Sequence, residues 1–180
     1  MFTGDQIIER ATALKERFGL STPDDDMQRF SKSLLKGMFA GMIGGLVGTA
    51  AKTLAEKVYP PRVHGEPEPP AKLAQKATGG QLDGGQTAVA AEAIHWGFGA
   101  LTGAAYGGLA EFYPKATSKE GASFGLTLAA LTHDSALPAM GLSADPKSRS
   151  QREQTSEMVT HVIFGVVTEI VRSLTRKMLG

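Results

Sequence analysis

Residues 37–51 read GMFAGMIGGLVGTAA, and glycine returns at every fourth position of this apolar run. The glycines at that spacing are Gly37, Gly41, Gly45, Gly44 and Gly48. In a water-soluble helix each glycine costs about 1 kcal/mol relative to alanine. In a bilayer, rows of small residues let two helix backbones approach closely. The stretch therefore predicts a helix that packs through its glycines inside a membrane.

Three further apolar stretches follow along the chain. Residues 87–110 carry a second glycine row, and residues 121–142 contain Pro138, where a helix should break or kink. The last stretch covers residues 158–171. The second row consists of Gly99, Gly103 and Gly107. Period-2 alternation is almost absent, so we predict an all-α fold, a four-helix transmembrane bundle with short glycine-rich helices.

Hydropathy alone does not decide between membrane and water. No stretch reaches the roughly 18 charge-free residues of a clear spanning helix, and runs of about 10 to 14 are more often buried core. The glycine spacing favours the bilayer, and a tightly packed soluble helix pair stays open as the alternative.

The polar N-terminal part differs from the rest of the chain. Residues 5–18 place apolar side chains at helical spacing and predict an extra amphipathic helix. A new helix should begin near Asp24, where a hydroxyl, a proline and acids follow one another. We therefore divide the chain into a polar helical segment, 1–33, and a membrane domain, 34–180. A proline- and glycine-rich loop at 58–86 interrupts the membrane domain, with one short helix near 71–77.

Composition excludes several classes of function. The net charge is +1 and the 19 basic residues are scattered, so nucleic acid is not an expected partner. Without cysteine there is neither a thiolate zinc site nor a cysteine nucleophile. No phosphate-binding loop or serine nucleophile motif is present. We therefore expect no enzyme activity, no catalytic residue and no cofactor.

Titratable residues inside the apolar stretches are the candidate functional site. Charges are costly in a membrane and normally face the bundle interior, where they pair or line a wet path. If the polar faces of three helices meet, six such residues would form one proton or cation cluster. They are Glu92, His95, His133, Asp134, His161 and Glu169. Imidazoles titrate near neutral pH, so this cluster could relay protons, sense acid or bind a cation. The alternative is that these residues only join helices by hydrogen bonds.

Without cysteine, a metal site in this chain would need histidine or carboxylate ligands. Glu92 and His95 have the Glu-x-x-His spacing of bundle-type di-iron proteins, but those proteins need two such pairs and only one is present. A mononuclear zinc site from His95, His133 and His161 stays open. We predict no metal.

Arg62 follows two prolines and is predicted to anchor the loop to lipid headgroups, with a plain turn as the alternative. Lysine and arginine are balanced on the two sides of the predicted spans, so orientation is undetermined. We expect cytoplasmic termini, because the charged N-terminal helix would otherwise need translocation.

Four blocks of the sequence resemble the YagU or DUF1440 family of bacterial inner-membrane proteins. The first is Lys52-Thr53-Leu54-Ala55-Glu56 with Pro60-Pro61-Arg62, and the second runs from Ala105-Tyr106-Gly107 to Pro114-Lys115. The third is His133 with Leu137-Pro138-Ala139-Met140-Gly141-Leu142, and the fourth spans Ser156-Glu157, His161 and Glu169-Ile170-Val171-Arg172. The resemblance implies a multi-pass protein of the inner, or cytoplasmic, membrane and no particular chemistry.

The sequence thus leads to one main hypothesis and two alternatives. The main hypothesis is a non-enzymatic inner-membrane protein with a buried His/carboxylate cluster that handles protons or cations, in an acid-stress response for example. The first alternative is a membrane scaffold whose glycine rows drive oligomerisation, and the second is a metal-dependent membrane enzyme. The expected partners are the lipid bilayer and a second copy of the chain in a homo-oligomer.

Overall fold

A computed structural model describes residues 3–4, 6, 9–10, 12–14, 23–62 and 66–180. The chain forms two compact units, Met1–Leu34 and Leu35–Gly180. Most of the predicted amphipathic helix at 5–18 lies outside the described residues. The residues described between 4 and 14 are helical.

The first long helix, α1, spans Pro23–Val58 and contains 36 residues. Proline stands at its first position, Asp24, Asp25 and Asp26 fill its first turn, and Lys57 lies in its last turn. These charges oppose the partial charges of the helix ends. The predicted helix start near Asp24 is confirmed, and the apolar run 37–51 forms the middle of one continuous helix.

The loop and the second apolar stretch fold as the sequence predicted. A short helix, α2, spans Pro69–Ala77 inside the loop. Helix α3 then spans Gly84–Phe112 and begins with a capping box, in which Asp83 accepts a hydrogen bond from the Gln86 backbone N–H and Gln86 bonds back to Asp83.

The third apolar stretch is broken into several short elements. A 3₁₀ segment at Pro114–Gly121 leads into helix α4, Ala122–Leu131. A π-helical turn, Thr132–Ala136, joins α4 to the three-residue helix α5, Leu137–Ala139. The irregularity predicted near Pro138 is therefore present as a π turn, through which the helical backbone continues from α4 to Ala139.

The last helix, α6, spans Gln151–Met178 after a 3₁₀ turn at Pro146–Ser148, and Ser150 caps its N-terminus by accepting from the Glu153 backbone N–H. The all-α prediction is confirmed, since the described part of the chain holds six α-helices and no strand. Within that part, α1 and α6 are long and apolar enough to cross a membrane. The predicted count of four spanning helices is not confirmed.

The two predicted glycine rows lie against each other, backbone to backbone, between α1 and α3. A Cβ added at Gly41 would overlap the carbonyl oxygen of Gly103, and one at Gly45 would overlap that of Gly99. The same holds between Gly107 and the carbonyl oxygen of Gly37. Glycine is therefore needed at these positions for the close approach of the helices.

A second close approach joins α1 and α4 to α6. Gly44 and Gly48, the offset row of α1, lie against the backbone of α6 at Thr168 and Phe164. Gly121, before α4, has φ +84° and lies against Gly165 of α6. Because Gly121 combines a left-handed backbone with this contact, no other residue fits there without strain.

The distribution of side chains is inverted relative to a water-soluble protein. Among the described residues, ten polar or charged residues are buried, compared with six apolar ones, of which three are alanine. Large apolar side chains are exposed along the long helices instead. Examples are Leu35, Leu54, Leu101, Leu131 and Leu174. Soluble proteins rarely bury charge while exposing so much apolar surface.

Candidate functional site

A partly enclosed cavity of about 270 Å³ lies in the Leu35–Gly180 unit, between α1, α2, α3, the π turn and α6. One part of its wall is apolar and the other is titratable. The apolar part includes Pro69, Pro70, Leu73, Ile94, Phe98, Leu128, Leu137, Met140 and Phe164. The titratable part consists of Lys52, Glu56, Arg62, Glu68, His95, His133 and His161. Such a cavity can hold a small molecule or a group of waters.

Three of the six predicted cluster residues line this cavity, and each comes from a different element. His95 lies on α3, His133 in the π turn and His161 on α6. The rings of His133 and His161 meet edge to face, with centroids 4.9 Å apart. The His95 Nε2 lies 3.3 Å from the Thr53 hydroxyl of α1.

The contacts of His161 fix where its ring proton lies, and those of His133 do not. The His161 Nδ1 is 2.7 Å from the backbone carbonyl oxygen of Glu157, which can only accept a hydrogen bond. The His133 Nδ1 is 3.0 Å from the Glu157 carboxylate. The neutral His161 ring therefore carries its proton on Nδ1 and leaves the Nε2 lone pair available. The His133 Nδ1 faces the carboxylate without forming a hydrogen bond.

Glu157 is the centre of a buried ion network on the polar side of the cavity. Its carboxylate, in a residue only 3% exposed, pairs with Arg149 and lies 2.9 Å from the Arg62 Nη2. Arg149 also bonds Asp134 at 2.6 Å. An isolated charge in such a place would be very costly, whereas one carboxylate between two guanidinium groups is compensated.

Arg149 also satisfies a backbone group that Pro138 leaves without a partner. In a π turn each carbonyl accepts from the N–H five residues later, as Thr132 does from Leu137. The carbonyl of His133 would face Pro138, which has no N–H. The Arg149 Nη2 donates to that carbonyl instead, at 3.0 Å. This bond holds the π turn, and with it His133, beside the cavity.

Lys52 is the buried amine of the site. It lies on α1, is 9% exposed and forms an ion pair with Glu56 one turn later. Its charge also acts on both His95 and His161. The cavity therefore contains a compensated ammonium group close to two of its imidazoles.

The structure does not bring the other predicted cluster residues into the cavity. Glu92 is exposed and accepts a hydrogen bond from the Trp96 indole at 3.0 Å. The Asp134 side chain is 56% exposed and touches the network only through Arg149. Glu169 belongs to a separate buried group, in which Tyr106 donates to it at 2.8 Å and Arg172 binds it through two bonds. The single six-residue cluster is thus divided.

Arg62 also differs from its expected place. It was predicted at the lipid headgroups, but its side chain is 11% exposed and pairs with Glu157. The structure thus places Arg62 in the ion network around Glu157.

Sequence reasoning missed Lys52, Arg149 and Glu157 as site residues, and it also missed Tyr106 and Arg172, the partners of Glu169. For Glu157 a local signal existed, since it precedes His161 by one helical turn. For Arg149 none existed, because its partners come from the π turn and α6. In the described residues no three His, Asp or Glu side chains are arranged to hold a metal ion.

Residues 46–170 match the family described as Protein of unknown function (DUF1440). The chain belongs to the DUF1440 family. The predicted family is confirmed; the match does not extend to the name YagU. All residues that line the cavity of this DUF1440 protein, from Thr49 to Phe164, lie within the matched region. No curated protein and no solved structure matches this DUF1440 chain.

Proposed function

We propose that this DUF1440 protein is a multi-pass protein of the bacterial inner membrane whose histidine-lined cavity takes up and releases protons. The observation that carries the proposal is the meeting of His95, His133 and His161, from three separate elements, at one cavity. Three features support lipid, rather than water, as the surroundings of the long helices. Buried charge, exposed leucines and close glycine contacts are the expected features of helices that pack in lipid.

The positions of the two imidazole rings also support proton uptake. The His161 Nδ1 donates to a backbone carbonyl, so its Nε2 is free to accept a proton, and the His133 Nδ1 faces the Glu157 carboxylate. The two rings lie edge to face, with centroids 4.9 Å apart, and both line the cavity, whose waters would connect their Nε2 atoms. A proton taken up by one ring can thus pass to the other.

The charges around the cavity favour protons over metal cations. Lys52, Arg62 and Arg149 surround the polar side of the cavity, and their charges are balanced by Glu56, Glu157 and Asp134. A divalent cation would find Glu56 and Glu157 already paired and would be repelled by the buried cationic groups. A proton on an imidazole needs no vacant ligand set.

Reconstitution into liposomes tests this function. Full-length protein is placed in vesicles with an internal pH-sensitive dye, and a potassium gradient with valinomycin drives proton entry. Replacing His161 or His133 by glutamine should reduce the protein-dependent rate by about tenfold or more. Glu92→Gln, at an exposed acid outside the cavity, should leave the rate unchanged. Equal rates in all four proteins would rule out the proposal.

The scaffold alternative is less well supported in its original form. The glycine rows that were expected to drive oligomerisation are buried in contacts within one chain. A homo-oligomer stays a prediction, and its surface would consist of the exposed large apolar side chains rather than the glycines.

A further inference from the structure

The cavity has an apolar part and a titratable part, and this division identifies the kind of molecule that fits. We infer that the cavity binds a carboxylic acid with a short apolar tail, the carboxyl group lying at Lys52, His133 and His161. The tail would lie among Leu73, Phe98 and Leu137. The inference rests on the proposed proton chemistry and names the molecule that brings the proton into the cavity.

Size limits the length of the tail. An engineered cavity of about 150 Å³ takes benzene, which has six heavy atoms. By the same scale, about 270 Å³ accommodates about eleven heavy atoms. An unbranched acid of eight carbons, with ten heavy atoms, fits this limit, whereas a membrane fatty acid of sixteen carbons does not. The expected ligand is therefore a medium-chain or compact aromatic acid.

Charge determines the form in which the acid is bound. The lining carries two fixed positive groups, Lys52 and Arg62, and two negative ones, Glu56 and Glu68. With neutral histidines the lining is balanced, so a carboxylate that entered alone would add an uncompensated charge. An acid that enters with its proton adds none. The acid and its proton should therefore be bound together.

The proton transfer balances without any further reactant. The O–H bond of the acid breaks and an N–H bond forms at the Nε2 of His161, leaving a carboxylate beside an imidazolium ion. The imidazolium ion and the carboxylate then lie side by side as an ion pair, which favours the charged form of both groups. The positive Lys52 further favours the carboxylate form of the ligand.

Each cavity histidine lies near several other charged or titratable groups. His161 interacts electrostatically with Lys52, His133 and Glu157. His95 interacts electrostatically with Lys52, Glu56, Glu68 and Glu92. The Nδ1 of His133 faces the carboxylate of Glu157. Since Glu157 is already held by two arginines, it is not a free proton acceptor for the ligand.

Calorimetry on the full-length protein in dodecyl maltoside tests the inference, with octanoate and 1-octanol as probes. We expect octanoate to bind and octanol to bind at least about tenfold more weakly, because octanol leaves the polar groups of the site without a matching partner. In buffers of different ionisation heat near pH 7, one proton should be taken up per octanoate bound. Absence of octanoate binding, equal binding of both probes or no proton uptake would overturn the inference.

Matched variants localise the binding. Leu137→Phe fills the apolar part of the cavity and should weaken octanoate binding by about tenfold. Leu101→Phe is the control, because Leu101 is 69% exposed and lies outside the cavity. His161→Gln should abolish the proton uptake. Equal binding to both leucine variants would place octanoate elsewhere and contradict the inference.

The liposome experiment keeps the two proposals separate, because it contains no carboxylic acid. Proton flux that depends on His161, together with no octanoate binding, would remove the ligand and retain the proton function. Octanoate binding with uptake of one proton, but no flux, would support the ligand and remove the relay.

Discussion

At the scale of single residues, Glu157 is a buried carboxylate whose charge several neighbouring groups require. It is the buried acid that faces Arg62, Arg149 and His133 together. Arg149 in turn holds the carbonyl of His133. The charge balance of this network therefore depends on Glu157. Through Arg149, the position of His133 depends on it as well.

Replacing Glu157 by glutamine should destabilise the protein by about 3–5 kcal/mol, since two guanidinium groups would lose their compensating charge. Unfolding of the detergent-solubilised protein by SDS, followed by circular dichroism, measures the difference. Glu92→Gln is the matched control, and its stability should stay within about 0.5 kcal/mol of the parent, because Glu92 is exposed. Equal stability of both variants would show that the ion network contributes little.

The site could be predicted from the sequence only in part, and the reason is physical. His95, His133 and His161 stand out because each interrupts an apolar stretch, so their cost in lipid marks them. Arg149 lies in a polar loop where an arginine costs nothing, and only the folded chain reveals its buried partners. Glu169 has the same apolar surroundings as His161 but contacts Tyr106 and Arg172 instead, a difference that spacing along α6 does not contain.

At the scale of elements, the packing of α1 on α3 depends on the absence of side chains. Gly41→Ala should destabilise the protein by about 1–3 kcal/mol, since the new methyl group would overlap the Gly103 carbonyl oxygen. Thermal unfolding in detergent measures this effect. Gly97→Ala, on the open side of α3 with nothing near its Cβ position, should be neutral or slightly stabilising. A loss of stability at Gly97 as large as at Gly41 would contradict this account of the packing.

Helices could be predicted well from local signals, and the irregular segment could not. The acids after Pro23 and the proline- and glycine-rich loop mark helix boundaries in the sequence itself. Pro138 also predicts an irregularity in the helix, but it does not predict that this irregularity is a π turn. The π turn that starts six residues earlier depends on Arg149, which lies eleven residues after the proline and supplies the missing donor.

At the scale of the whole molecule, the inverted distribution of side chains predicts the solvent. The native protein should stay in the membrane pellet after an alkaline carbonate wash and dissolve only with detergent. Leu101→Glu would expose a charge to lipid, at a cost of about 2.5–3.5 kcal/mol if Leu101 lies near the centre of the bilayer, and should lower the amount inserted. Leu101→Phe, which keeps this position apolar, is the control. Recovery of the native protein as a stable monomer in detergent-free buffer would contradict membrane insertion.

The glycine rows have a consequence for the alignment of α1 with α3. A pattern that repeats every four residues looks the same after a slide of one repeat, about 6 Å along the helix axis. The ends of the rows remove this ambiguity, because the Thr49 side chain lies over Gly99 and the Glu111 side chain lies over Gly37. Sliding between alternative helix registers is a known means of conformational change. Here the two end residues select one register, and it is the register in which Thr53 meets His95.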